Sequence, residues 1–413
     1  MNRVHTWLSR IEAAPGLNEK KEILQQCVLS GDGDIVTAYL SLVLDPRVTF
    51  GVSSKSLPSL EYGDRDLRAV DVFALAISLA TRELSGNAAR TAVASLLSGV
   101  KPDHSLWVLH LLNKDLNVGL LTTSVNSVVS NLIYTVPLML AKPEADLDHL
   151  KFPAIASLKK NGVRVVIMAG ENGLQIITRG GHPLEGYAVP SRMIQDWDPA
   201  PFADYVLDGE AMVSTGWLQD TMTVLRRLDT SEGDLDMTFH PFDCIPVEEW
   251  GKSGTRPYRK RLMDLAQISK YLGLTPVSGK LVYSLSEVTE EFKRVKALGE
   301  EGLVCKPLDG PYEPKRSFWW IKVKGFDPVD GQIIRVLEGK AGKKYDNNLG
   351  SIELQDESGC VYRAAFSGDD QVRKDLWEQR EQLIGRWAHF KVLAKTRSGS
   401  GQNAVFLGLR DEK

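Results

Sequence analysis

A lysine closing an apolar run, two isolated carboxylates and a pair of alternating lysines are the side chains with most chemistry to offer in this sequence. The lysine lies in SLKKNGVRVV, with Lys159, Asn161, Gly162 and Arg164. Asn-Gly between two apolar runs predicts a hairpin turn. Solvated turn lysines are one reading. In the other, Lys159 ends a strand with its amine at a pocket floor, and Gly162 lets backbone approach a ligand. Arg164 then points the same way from the next strand, because strand side chains alternate. In VLDGEAMV, Asp208 and Glu210 share a strand face. A buried carboxylate there is costly unless paired or metal-bound; an edge-strand glutamate is the ordinary alternative. In TFHPFDCIP, Phe242 precedes Asp243 and either stacks on a base or fills core. GEEGLVCKP offers Glu301 at a strand start, as a ligand for a divalent cation or as a turn residue. In KRSFWWIKVKGF, Lys322 and Lys324 alternate with Ile321 and Val323, so both ammonium groups leave one strand face, with Trp320 on the same side. Like charges side by side are unfavourable unless an anion lies between them, and phosphate is the natural one.

Together these residues suit nucleotidyl transfer. The carboxylates would hold Mg²⁺, the lysine pair the α-phosphate, the aromatic ring the base, and Lys159 would be the nucleophile. A protonated lysine has no lone pair to offer, and neighbouring cations favour the neutral amine.

The elements around these stretches divide in three. Residues 1–130 read as an all-α domain. Asn18 is expected to cap NEKKEILQQC, and Asp103 to cap DHSLWVLHLLNKDL. LRAVDVFALAISLATREL carries a broad apolar face of Val70, Val72, Phe73, Leu75, Ala76, Ile77, Leu79 and Ala80. AARTAVASLL stops at Ser98-Gly99. Residues 131–325 mix short β-branched runs (VRVVIMAG, GLQIITRGG, DYVLDGEAMV) with helical stretches (RPYRKRLMDLAQISKYLG, LSEVTEEFKRVKALG), an α+β pattern. Residues 326–413 offer five strands, GQIIRVLEG, GSIELQD, CVYRAAFSG, RWAHFKVLA and NAVFLGLR, with the helix DQVRKDLWEQREQLIG between the third and fourth. That is the order of an OB-fold β-barrel, with a two-sheet sandwich as alternative. KGFDPVDG between the last two domains suits a hinge.

Composition sets limits. The 413 residues carry net charge −3, so nucleic-acid binding has to come from local basic patches. The N-terminal 144 residues do not supply it by excess charge, with 13 Lys/Arg against 14 Asp/Glu. Four cysteines lack CxxC spacing, which argues against a zinc site, and a chain this large needs no disulfide framework, which suits a cytosol. No signal peptide and no apolar run of ~18 residues is visible, so no membrane partner is expected.

The stretches occur in the order of the motifs of covalent nucleotidyltransferases. KKNGVR resembles motif I (KxDGxR), IITRGG motif Ia, DGE motif III, HPFD motif IIIa, EGLVCKP motif IV and WIKVK motif V. The closing LGLRDEK is similar to motif VI, and NKDLNVGLLTTSVN with NLIYTVPLMLAKP resembles the domain junction of T-even-phage-type enzymes. The chain thus resembles an ATP-dependent DNA ligase over essentially its whole length. The resemblance implies a helical DNA-binding domain, an adenylation (nucleotidyltransferase) domain and an OB-fold. It implies ATP as co-substrate, Mg²⁺ (or Mn²⁺), nicked double-stranded DNA as partner, and a cytoplasmic monomer, in a host cell if phage-encoded. By the same resemblance Lys159 carries AMP, Arg164 and Arg179 contact ribose and the phosphate region, and Phe242 stacks on adenine. Glu210 binds ribose or metal, Glu301 binds metal, Lys322 and Lys324 hold the α-phosphate, and the backbone near Ser157 and Leu158 reads the adenine edge. Arg410 and Lys413 would orient the departing pyrophosphate. Asn161 stands where the family has Asp, keeping shape and a hydrogen-bonding oxygen but dropping a charge. An RNA ligase or capping-type enzyme with the same lysine chemistry is the alternative, against which the helical N-terminus argues. A non-catalytic DNA-binding protein with a decayed site is another, against which the retained lysines and glutamates argue.

Overall fold

The computed structural model of the chain describes residues 1–171, 173–229, 236–325, 327–342, 344–392, 394–395, 401–402 and 404–410. The chain forms two compact units, Met1–Val136 with Gly180–Pro183, and Pro137–Arg179 with Leu184–Lys413. Among the described residues no helix is long and apolar enough to cross a membrane.

The first unit is helical, built from α1 (Asn2–Ala13), α2 (Leu17–Leu29), α3 (Gly33–Leu44), α4 (Ala69–Ala80), α5 (Gly86–Leu97), α6 (Pro102–Asn113) and α7 (Thr122–Asn126). Leu8, Ile11, Leu24, Tyr39, Leu40 and Trp107 are its fully buried centre. The Tyr39 hydroxyl donates to the Trp107 carbonyl at 2.7 Å, so even this polar tip is satisfied. Two expected caps are displaced. Gly16, in extended conformation, precedes α2, and Asn18 lies inside the helix. Lys101 precedes α6, because Pro102 supplies a preset helical φ at the first position. Asp103 falls in the first turn, where its charge meets the positive end of the helix dipole. The apolar face expected of α4 also narrows: Val72, Ala76 and Leu79 are buried, whereas Val70 and Ile77 are 60% and 56% exposed. The helix is apolar nearly all round, so its composition did not choose which stripe would pack.

The second unit runs β1 (Leu140–Lys142), β2 (Ala154–Leu158), β3 (Val163–Gly170), β4 (Gly173–Thr178), α8 (Ala188–Ile194), β5 (Tyr205–Val213), α9 (Leu218–Val224) and β6 (Met237–Pro246). It continues through α10 (Tyr258–Tyr271), β7 (Gly279–Val282), α11 (Leu285–Ala297), β8 (Gly302–Pro307) and β9 (Arg316–Lys324). Two sheets result, ordered β1-β9-β8-β2-β7 and β4-β3-β5-β6. Each has its own apolar core, around Ile321, Val323 and Leu303 for the first and Val165, Ile167 and Leu207 for the second. Met139, Ile245, Tyr312 and Trp320, joined by Phe242, form a third cluster that draws residues from both sheets.

After β9 come β10 (Asp327–Glu338), β11 (Leu349–Gln355), β12 (Val361–Phe366), α12 (Asp370–Glu378), α13 (Arg380–Leu383), β13 (Trp387–Val392), β14 (Ala394–Lys395), β15 (Gly401–Gln402) and β16 (Val405–Leu409). Five of these close a barrel in the order β10-β11-β12-β16-β13. The expected hinge KGFDPVDG is mostly strand: β10 pairs with β13 from Asp327↔Val392 onward. Pro328 is tolerated there at the strand's start. Only residues 325–326 connect β9 to β10, and Phe326 lies outside the described residues.

Candidate active site

Lys159 sits one residue past the end of β2. Its backbone N–H donates to the Gly302 carbonyl at 2.9 Å, extending the β2–β8 ladder just far enough to place the lysine beside Glu301. The Lys159 amine lies 2.7 Å from Glu301 Oε2. The lysine side chain keeps 27% of its surface exposed and the glutamate 8%, so the amine is reachable while its partner is sequestered. Lys159 is therefore not a freely solvated turn lysine, and neither is Lys160, which lies 3.7 Å from Glu300.

Gly162 precedes β3 and meets β5 closely. A Cβ there would fall 2.5 Å from the Ala211 carbonyl oxygen and 2.9 Å from Glu210 Cγ. The absent side chain serves strand contact, and it lets the Gly162 N–H donate to Glu210 Oε1 at 3.1 Å. Loss of hydration pushes the Glu210 carboxyl up to about 7, with Asp208 adding to it, against the pull of Lys159, the Gly162 N–H and Arg164. A carboxyl that holds its proton to about pH 7 in the fold, against an ordinary 4.5, binds more proton folded than unfolded between those values. Its contribution to stability therefore falls as pH rises through that window. Glu210→Gln is expected to flatten this slope in metal-free protein. The variant should gain on the parent by on the order of 3 kcal/mol between the two ends of the window. Parallel denaturant titrations in chelator that keep a constant gap at both pH values would contradict it.

Arg164 turns inward. Its Nε and Nη2 donate to Asp208 at 2.8 and 2.6 Å, and its Nη1 to the Met139 carbonyl at 2.9 Å. Burial works against its charge, but Asp208 overrides this and holds the guanidinium above its ordinary value. Asp208 is completely buried and also accepts from the Tyr312 hydroxyl at 3.0 Å. Phe242, on β6, meets Trp320 edge-on at 5.8 Å between centroids, with Arg164 5.3 Å from its ring centre.

Lys322 and Lys324 leave the face of β9 opposite Ile321 and Val323, as their alternation requires, and Trp320 shares their side. Among the described residues neither lysine makes an ion pair. Burial first, then Lys324, Arg316, Lys159 and Arg179, hold Lys322 below its ordinary value. Burial and Lys159 do the same for Lys324, with Glu301 opposing. Lys159, Arg179, Lys322 and Lys324 thus gather four positive groups against the one carboxylate of Glu301, an excess that favours an anion. Ser157 is buried on β2 and Leu158 N–H donates to the Ser278 carbonyl. Arg410 is engaged at the outer surface of the barrel, donating to Asp330 at 2.9 Å with both side chains about one-third exposed. Lys413 lies outside the described residues.

Three participants escaped the sequence reading. Lys306, in EGLVCKP, is 2% exposed, donates to the Phe242 carbonyl at 2.8 Å and lies 4.6 Å from the ring centres of both Phe242 and Trp320. Burial lowers it to about 8. A lone lysine within an apolar strand was the available hint. Arg261 of α10 pairs with Asp243, both fully buried, at 2.8 and 3.0 Å. Tyr312 completes the layer, and neither it nor Arg261 stands out from its local sequence.

Residues 138–324 match the family described as "ATP dependent DNA ligase domain". Those residues are a DNA ligase domain. The ligase domain carries every side chain gathered around Lys159. The chain is 25% identical to the DNA ligase of Enterobacteria phage T6 and to that of phage T4, each alignment covering 75% of this chain and 74% of the relative. The solved structure "Pmar-Lig_PreS3" superposes with a TM-score of 0.78 at 25% identity, covering 98% of this chain and 99% of that one. The agreement thus extends from the ligase domain into the helical unit and the barrel. The matched domain and these relatives support a DNA ligase, a nucleotidyltransferase.

Proposed function

We propose that this chain seals 5′-phosphate/3′-OH nicks in duplex DNA using ATP, through a lysyl-AMP intermediate. The observation that carries this is Lys159: an accessible amine held 2.7 Å from a sequestered carboxylate and faced by Lys322 and Lys324, cations that make no ion pair among the described residues. In the first step the neutral amine of Lys159 attacks the α-phosphate of ATP. A P–N bond forms, the P–O bond to the leaving group breaks, and pyrophosphate departs with the displaced electron pair. AMP then passes to the 5′-phosphate at the nick, restoring the lysine. The adjacent 3′-OH attacks that activated phosphate and expels AMP.

Lys322 and Lys324 fix the α-phosphate and take up the charge that grows on its oxygens in the transition state. Phe242 offers a ring to the adenine, and the backbone at Ser157 and Leu158 its edge contacts. Arg179 reaches the phosphate side. Arg164, tied to Asp208, acts on the ribose region chiefly by fixing β3 against β5. Glu210 and Glu301 suit Mg²⁺ or Mn²⁺: both are oxygen donors, and the reluctance of Glu210 to ionise without a cation fits a site completed by one. Among the described residues no group of three or more acidic, His or Cys side chains gathers, so the nucleotide would supply the remaining oxygens. The ion, when bound, supplies Lewis-acid charge to the phosphate oxygens. The division 1–130, 131–325 and 326–413 assigns DNA binding to the helices, adenylation to the two sheets, and an OB-fold to the barrel. Arg410 and Lys413 would then reach the pyrophosphate when the barrel closes, once Arg410 leaves Asp330. Such an enzyme works in a cell's cytoplasm, as a monomer.

Purified protein given nicked DNA with ATP should seal it, and should be labelled by ATP but not GTP. Sealing confined to nicked RNA, or labelling by GTP, would move it to the RNA ligases or capping enzymes. Lys322→Ala should slow lysyl-AMP formation at saturating ATP by about 10²–10³-fold, the usual effect of removing one donor to a developing charge. An unchanged rate would remove Lys322 from the phosphate.

A further inference from the structure

β1 and β9 run parallel, and their register breaks once. Ala141 pairs with Ser317 but Lys142 pairs with Ile321, so Phe318, Trp319 and Trp320 have no counterpart on β1. Extra residues of this kind bend the strand that carries them. Beside the bend lies a hollow of about 500 Å³ lined by Lys142, Lys151, Lys315, Arg316, Phe318 and Trp319. Four cations therefore face one carboxylate among its walls, Glu313, which stands 3.5 Å from Lys315.

The other three cations have no acidic partner among the described residues. Lys142 sits 4.2 Å from the Phe318 ring centre and Lys151 4.5 Å from that of Trp319, each held by an aromatic face and not by a carboxylate. Arg316 is steadied by donating to the Ala141 carbonyl at 2.7 Å, which leaves its remaining N–H groups for a ligand. Cation–π contacts at exposed sites are weak. They orient these ammonium groups without neutralising them.

We propose that this hollow is a docking site for the phosphodiester backbone of duplex DNA. It rests on the ligase reading, since it assigns a surface to that enzyme's substrate. Three observations select this partner. The positive charge continues from the hollow to the lysine site, because Arg316 acts electrostatically on Lys322. Each DNA strand presents one negative charge per ~3.4 Å, which a row of cations of this kind meets. Phe318, 43% exposed, already holds Lys142 over its ring and His149 at 4.7 Å between centroids, so a base stacking there would compete with both. A splayed single strand would need that ring for its bases; a duplex backbone does not. Contacts to phosphate oxygens position the duplex and carry no sequence information directly.

Lysine acetylation of the wild-type protein, read by mass spectrometry, tests this without any substitution. Nicked duplex should protect Lys142, Lys151 and Lys315, and ATP alone should not. Equal labelling with and without DNA overturns the proposal, as does protection by ATP alone, which would make the hollow a nucleotide subsite. Lys151→Gln combined with Lys315→Gln should leave self-adenylation unchanged and weaken binding of nicked duplex at least tenfold at 0.1 M salt. The slope of log affinity against log salt should become shallower by about 2. Parental affinity and slope in the variant also overturn it. A wild-type chain that ATP does not adenylate would defeat the ligase reading instead, so the two failures are separable.

Discussion

Lys159→Ala is expected to abolish the covalent adduct with AMP and to cut sealing from ATP by about 10⁴-fold or more, the scale on which enzymes lose rate when the nucleophile itself is removed. Mass spectrometry after incubation with ATP and Mg²⁺ reads the adduct directly. The stronger form of the prediction separates the steps. In the last step the bond forms between the 3′-OH and an already activated 5′-phosphate, and Lys159 contributes no atom to it. A nick carrying a preformed 5′-adenylate should therefore still be sealed by the variant. Glu301 sharpens the interpretation, because removing the lysine leaves a carboxylate that is 8% exposed without its cation. A local collapse there would slow both reactions together, whereas a nucleophile's role affects only the ATP-dependent one. An acid-stable adduct persisting in Lys159→Ala would place the chemistry on another residue.

What could be read from the sequence follows from the range of each interaction. The helices of the first unit and the strands of the second were legible because their periodicities are local. Lys159, Lys322 and Lys324 could be picked out because each interrupts or ends an apolar run, and Glu301 because it stands before a glycine at a strand start. Long-range partnerships were not legible. Arg164 meets Asp208 across 44 residues, and Tyr312 meets the same carboxylate across 104. Nothing local distinguishes the donors that Asp208 chose from others of the same type. Lys306 was passed over because a lysine near a strand end normally reaches water, whereas here the three rings of Phe242, Tyr258 and Trp320 enclose it. The KGFDPVDG stretch failed for the opposite reason. Its Gly, Pro and Asp residues do disfavour regular structure, but pairing with β13 supplied enough ladder hydrogen bonds to override them.

Arg261→Ala should be the most destabilising single change in the layer beneath the site. The guanidinium and Asp243 are both at 0% exposure and share two hydrogen bonds. Arg261 also ties α10 to two carbonyls, those of Arg256 and Gly310. Burial opposes its charge, and Asp243 restores it, holding the group above its ordinary value. Cutting away the arginine leaves the buried Asp243 carboxylate with the Cys244 N–H and the field of the Lys306 ammonium. Breaking one side of such a pair costs about 3–5 kcal/mol, a large share of the ~5–15 kcal/mol that holds a domain folded. The loss should appear as a lowered denaturant midpoint of the transition that reports the two-sheet region, followed there because a chain of several domains need not unfold in one step. The decisive comparison is Arg261→Met with Asp243→Asn, which removes both charges and should recover much of the loss. Phe242 precedes Asp243 directly, so the double variant separates two roles. If the pair only stabilises, adenylation recovers with stability. If it also sets the angle of the Phe242 ring, stability returns while the KM for ATP stays high.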